Sequence, residues 1–260
     1  MKVPFAAAPA AARLIGEACS TRTRLTELPG ELRPRTLDEG YDIQDRLIAD
    51  IDDPVTGWKL GQGSPKGLRT AGLERALVGR VTASRCHPAG NDIQLPVKAP
   101  VTVEIEIAFR LGRDIAPDGP AQAARDFVGS ACLAAEIILS RFVDRKAVGL
   151  PSYLAENVGF EALVVGPALQ FEEMPEIMRS VVVDLDGVRI ADAQTGEDAI
   201  DPWRAVEHLM AHARHRGMTL LKGQIVSTGT ISKPFDCTGS EARIVARAGR
   251  HEMPFRLVWP

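Results

Sequence analysis

The chain has 260 residues, 45% hydrophobic and 25% charged, enough to bury one large core or one domain with a small appendage. A formal charge of −3 argues against a general nucleic-acid binder, which would carry a basic patch or stripe. No apolar run approaches the roughly 18 residues that a membrane span needs. Cys19, Cys86, Cys132 and Cys237 lie far apart and form no CxxC. They read as reduced packing residues, so a cytoplasmic chain is expected.

The start, Met1-Lys2-Val3-Pro4-Phe5, superficially resembles a secretory leader. Prolines interrupt its weak, alanine-rich apolar segment, and Arg13 and Glu17 follow early, so a helix over residues 6–20 is the better reading. Pro29, Gly30 and Pro34 then break the chain. Thr36 with Glu39 forms a capping-box pattern, and Leu37, Tyr41, Leu47, Ile48 and Ile51 keep helical spacing until Pro54. The stretch 57–67 (Gly-Trp-Lys-Leu-Gly-Gln-Gly-Ser-Pro-Lys-Gly) lacks the Gly-Lys-Ser/Thr of a P-loop and the third glycine of GxGxxG. It predicts a strand over 57–61 running into a glycine-rich turn. Lys59 is there either solvated or a fixed cation facing an anion.

Val101 to Phe109 alternates like a strand, and Glu104 and Glu106 emerge on one face of it. Adjacent carboxylates repel unless one is protonated or a cation lies between them. The pair therefore marks either a solvated strand face or a site for a hard divalent ion such as Mg²⁺ or Mn²⁺. Pro117 to Pro120 predict a turn, and residues 121–133 an alanine-rich helix. Residues 134–141 then read as a buried strand carrying Glu136 among apolar neighbours; the alternative is a helix continuing to about 144. A buried carboxylate needs a partner, and three carboxylates from two strands can share one octahedral ion.

Residues 150–160 are expected to be a loop, and 163–166 the end of a strand. Residues 181–191 read as a hairpin turning at Asp186-Gly187. Asp201-Pro202 opens a helix, with Val206, Leu209, Met210 and Ala213 as its buried stripe and Gly217 as its stop. Its histidines 208, 212 and 215 lack the HExxH order of a zinc site. Strands near 241–248 and 253–259 flank Gly249.

In this order, Tyr41-Asp42-Ile43-Gln44, Gly57-Trp58-Lys59-Leu60-Gly61, Glu104-Ile105-Glu106-Ile107-Ala108, Ala135 to Arg141, Glu156-Asn157 and Gly223 to Gly229 resemble the 2-keto-4-pentenoate hydratase and 4-oxalocrotonate decarboxylase branch of the fumarylacetoacetate hydrolase superfamily. The resemblance implies an α+β fold: a mixed β-roll catalytic core over residues 81–260, integrated with an N-terminal helical cap region over 1–80. It implies a Mg²⁺ or Mn²⁺ site built from Glu104, Glu106 and Glu136. Lys59 and Glu156 would be catalytic, and Gln44, Asn157 and Thr228 would touch substrate. The expected ligand is a small 2-oxo or 2-hydroxydienoic acid, and the expected assembly a homo-oligomer or a hydratase–decarboxylase complex.

Two departures bear on the reaction. The family's hydratases carry an Asp before an aromatic residue and glycine shortly after the lysine strand. This chain has Ala76-Leu77-Val78-Gly79 there, and Glu156 stands where an Asp is usual. The hydrolytic relatives use a His–Glu lid pair, whereas no histidine precedes His87. A metal-dependent lyase follows, with hydration as the first expectation and decarboxylation or hydrolysis as the runner-up. From a different class, the missing acid is also compatible with a non-catalytic subunit that binds a 2-oxo acid or supports a partner enzyme.

Overall fold

The structure, a computed structural model, describes residues 4–119 and 122–260. Met1 to Val3 of the leader-like start, the Pro120 end of the expected turn and the Ala121 start of the expected helix lie outside them. Helices α1 (Ala8–Ser20) and α2 (Leu37–Ala49) come first. The capping box forms: the Thr36 hydroxyl accepts from the Glu39 N–H, and the Glu39 carboxylate accepts from the Thr36 N–H, both at 3.2 Å. Ala11, Ala12 and Ile15 pack with Ile43 and Leu47, and with Phe142 and Ala155 from later in the chain, as a small core of their own.

Strand β1 (Val55–Gly61) leads into α3 (Pro65–Ala71), which stands where the glycine-rich turn was expected. Ser64 caps that helix by accepting from the Gly67 N–H at 3.0 Å, and Pro65 supplies a preset φ at its first position. There follow β2 (Leu77–Thr82), β3 (Cys86–Pro88), β4 (Asp92–Gln94) and β5 (Val101–Leu111). Next come β6 (Val128–Ile138), α4 (Leu150–Ala155), β7 (Phe160–Leu169) and α5 (Met174–Ser180).

Two expectations are corrected here. In place of the helix over 121–133, the described residues form a short 3-10 turn (Ala124–Asp126) and the first half of β6. Alanine favours helix by only a few tenths of a kcal/mol per residue, whereas β6 is hydrogen-bonded on both edges, to β5 and β7. The loop over 150–160 contains α4, started by Pro151 in its first turn.

The hairpin β8 (Val182–Leu185) and β9 (Val188–Asp192) turns at Asp186 and Gly187, both at positive φ, as a tight right-twisted hairpin requires. Helix α6 (Pro202–Arg216) starts on the Asp201 carboxylate, which accepts from the Trp203 N–H at 2.9 Å, and ends at left-handed Gly217. Of its expected stripe, Met210 is only half-buried. The chain closes with β10 (Ile225–Thr230), β11 (Phe235–Cys237), β12 (Glu241–Ala248) and β13 (His251–Val258).

The larger sheet has eight strands in the order β2-β1-β10-β5-β6-β7-β3, with β11 also paired to β5; five strands, β4-β13-β12-β8-β9, form the second. Both sheets share one large core with α5 and α6. The result is the α+β, mixed β-roll architecture expected. β1 and β2, within the first 80 residues, belong to the larger sheet, so the helical cap proper is α1 and α2. β1 lies parallel to β10 so closely that a β-carbon on Gly57 would run into the Ile225 carbonyl. Gly57→Ala is expected to cost about 3 kcal/mol, read as a lowered urea midpoint with an unchanged m-value.

Candidate metal centre

Four strands meet at one spot on the large sheet. Glu104 and Glu106 project from β5, Glu136 lies directly across from Glu104 on β6, and Lys59 comes from β1, whose neighbour β10 pairs with β5. Carboxylate oxygens of Glu104, Glu106 and Glu136 all fall within 4.8 Å of one another. Among the described residues this is the one group of three ligating side chains so placed. Around it the same face is apolar, with Ala108, Cys132, Ala134, Phe160 and Leu163, while Ile105 and Ile107 point the other way into the main core.

The acids differ in exposure. Glu106 and Glu136 are wholly buried, and Glu104 is half-buried. Glu106 Oε2 accepts from the Ser227 hydroxyl at 2.5 Å and the Gly229 N–H at 2.8 Å, both on β10. Among the described residues its Oε1 has no hydrogen-bond partner, and neither Glu136 oxygen has an aligned hydrogen bond. Glu136 does have the Lys59 ammonium 2.7 Å from Oε1, and Lys59 also donates to the Val158 carbonyl at 3.2 Å.

The electrostatics follow from this crowding. Burial, reinforced by the neighbouring Glu136 charge, pushes Glu104 up to about 7 and Glu106 well above the carboxylate range. Glu136 is raised by burial, with Lys59 opposing. Burial alone would lower the Lys59 ammonium, but its attraction to Glu136 outweighs that and holds it charged.

A hard divalent cation suits this donor set. All three ligands are oxygens, orphaned oxygens converge, and three carboxylates with one ammonium need two further positive charges for neutrality. Without one, the folded protein holds protons that the unfolded chain releases near pH 4.5. The contribution of these groups to the stability of the metal-free protein is then greatest below that pH and falls as pH rises through about 7. A thermal midpoint that drops across this window, and drops less with saturating Mg²⁺, is the expected outcome.

The other expected site residues are placed as follows. Thr228 is buried between these strands, and its hydroxyl donates to the Ile107 carbonyl at 2.7 Å. Glu156 accepts from the Ser140 hydroxyl at 2.5 Å and from the Arg141 N–H, bracing the chain just after β6; burial pushes it up to about 7. Gln44 donates to the Val78 and Leu154 carbonyls at 3.1 and 3.0 Å and accepts from Arg80. Asn157, at a left-handed φ of 65°, pairs its amide with both backbone groups of Arg80. The Gln44 and Asn157 amides thus tie α2 and the turn after α4 to β2. Of the α6 histidines, His208 accepts from the Ala76 N–H at 3.3 Å and His212 packs at a tilt against Tyr41, with ring centroids 4.5 Å apart.

Sequence reasoning missed the two donors from β10. Ser227 and Gly229 lie in Ile-Val-Ser-Thr-Gly, and only pairing with β5 turns them toward Glu106. The stretch singled out for lacking the hydratases' acid, Ala76 to Gly79, runs into β2. Lys59 pairs with Gly79, so Leu77, two residues along, shares its face of the sheet.

A curled mixed sheet presenting three converging carboxylates and a buried lysine defines an oxygen-ligand metal centre on a β-roll. The profile described as fumarylacetoacetate (FAA) hydrolase C-terminal matches residues 74–252. The chain belongs to that family; Lys59 precedes the matched stretch. It is 27% identical over 197 residues to a 4-oxalocrotonate decarboxylase of Pseudomonas sp., covering 75% of this chain and 76% of that one.

Among solved structures, the 4-oxalocrotonate decarboxylase from Pseudomonas putida G7 complexed with magnesium and adipate superposes at a TM-score of 0.85, with 19% identity and 99% of each chain covered. The fumarylpyruvate hydrolase from Pseudomonas aeruginosa in complex with Mn²⁺ and pyruvate reaches 0.57, also at 19%, covering 81% of this chain and 93% of that one. At such identities the likeness is one of fold. Among the described residues no helix is long and apolar enough to cross a membrane.

Proposed function

We propose that this protein is a divalent-metal-dependent lyase that decarboxylates a small unsaturated 2-oxo acid of the 4-oxalocrotonate kind, with Mg²⁺ or Mn²⁺ held by Glu104, Glu106 and Glu136. The observation that carries it is the trio of converging acids paired to a buried lysine, with a leucine on the lysine's face where hydratases of the family carry an acid. The bound ion supplies a Lewis acid for the 2-oxo carboxylate end, where the electron pair left behind by CO₂ collects.

The chain's own residues do the rest. Lys59 offsets the acids' charge and attracts the substrate anion. Glu104 is the most exposed of the three acids, while Ser227 and Gly229 orient Glu106. Addition of water needs a base to activate it; Leu77 offers none, so carbon dioxide loss is favoured over hydration, the first expectation from sequence. Glu156, Gln44 and Asn157 act as positioning residues, through the segment after β6 and through β2.

The experiment follows the ultraviolet absorbance of 4-oxalocrotonate and of 2-hydroxypenta-2,4-dienoate, each with and without Mg²⁺. Mg²⁺-dependent loss of 4-oxalocrotonate with CO₂ release supports the proposal. Turnover of the dienoate alone would restore the hydratase reading, and turnover of neither would favour a non-catalytic role.

A further inference from the structure

At the half-buried edge of the carboxylate trio lies a cation that the reading above leaves without a task. Arg145, in the segment between β6 and α4, donates from Nη2 to the Thr102 hydroxyl at 3.1 Å. Thr102 hands its own proton to Asp236 on β11 at 2.6 Å, which leaves its lone pair for Arg145. Thr102 is two residues before Glu104 on β5, on the same face, so the guanidinium is anchored about 7 Å along the strand from the Glu104 position. Its charge is felt at Glu104, Glu136 and Glu156, and its plane lies 5.9 Å from the centre of the Tyr153 ring.

Arg80, which is buried, and Arg141 and Arg216, which are half-buried like Arg145, each have a carboxylate partner. Arg145, by contrast, forms one hydrogen bond and no ion pair among the described residues. Arg145, Tyr153 and Glu104 are all half-buried, whereas Lys59, Glu106 and Glu136 are fully buried. The cation therefore stands at the open side of the site with donors to spare.

We propose that Arg145 is a specificity-determining residue that receives the second carboxylate of a dicarboxylic 2-oxo acid whose first carboxylate and keto oxygen lie at the trio. This deepens the function proposed above and rests on it. A guanidinium presents a planar fork of N–H donors that matches a carboxylate, and its Thr102 anchor stands two residues from Glu104 on the same face of β5.

The test is equilibrium binding to the Mg²⁺-loaded protein of two unreactive acids of equal length. 2-Oxoadipate carries the second carboxylate, and 2-oxohexanoate has a methyl group in its place. The parent chain is expected to prefer 2-oxoadipate by about ten- to hundred-fold. Arg145→Gln abolishes that preference and leaves 2-oxohexanoate affinity within about two-fold, while Arg145→Lys keeps part of it. A preference that survives Arg145→Gln, or an equal loss for both acids, overturns the proposal. Binding of neither acid by the parent chain overturns the 2-oxo acid reading of the site and this proposal with it. Binding of both without preference overturns this proposal alone.

Discussion

Glu106→Gln is expected to leave a folded protein that binds Mg²⁺ or Mn²⁺ about 100-fold or more weakly by calorimetry, since losing even an outer partner of a metal ligand typically costs 10- to 100-fold. The amide oxygen of glutamine can still accept from the Ser227 hydroxyl and the Gly229 N–H, which hold Glu106 Oε2 from β10, so the strand pairing survives. What disappears is a charge, and with it the orphaned oxygen that faces Glu104 and Glu136. The metal-free variant should unfold at a higher temperature than the metal-free parent at pH 8, because one of three mutually repelling buried carboxylates is gone. Unchanged metal affinity would remove Glu106 from the ligand set. Ser227→Ala serves as a graded companion, with a weakening of about ten-fold, because it loosens the ligand's orientation and keeps its charge.

Lys59→Met carries the second large effect. The ammonium is buried against Glu136 and the Val158 carbonyl, so its removal leaves Glu136 without its counter-charge. Breaking such a pair from one side costs about 3–5 kcal/mol. The loss should appear in the metal-free protein and shrink when Mg²⁺ is added, since the ion then supplies the missing positive charge. Metal affinity should hold or tighten, because a neighbouring cation has been taken away. Turnover, in contrast, should fall by at least about 100-fold, with substrate binding weakened. A parental rate in a folded, metal-loaded Lys59→Met protein would exclude the lysine from the chemistry.

The strand carrying Glu104 and Glu106 was legible because alternation along one strand is a local property, and so was the apolar setting of Glu136. Their convergence was not, since it depends on β5 and β6 pairing with Glu104 opposite Glu136. The stretch before Glu136 shows how local signals mislead: its alanines favour a helix, and cross-strand pairing on both sides overrules them. The short helices α3 and α4 were hidden for the opposite reason. Each begins at a proline that reads equally well as a break. Gln44 and Asn157 were found through resemblance, yet their bonding to β2 appears only once the chain is folded. Arg145 carries no pattern at all; its meaning comes from standing next to Thr102 across a chain separation of 43.

The parallel seam between β1 and β10 joins the first quarter of the chain to its last. A ribosome must therefore reach Ser227 and Gly229, long after Lys59 has been made, before the lysine and the donors that steady Glu106 can stand together. Nascent intermediates hold the acids without those donors, so a divalent ion meets a trio whose Glu106 is not yet steadied during synthesis. It can act only as a ligand of the finished state, raising stability in proportion to the logarithm of its free concentration. It is no template for the early steps of a fold this rich in distant pairings, which is expected to form slowly for its size.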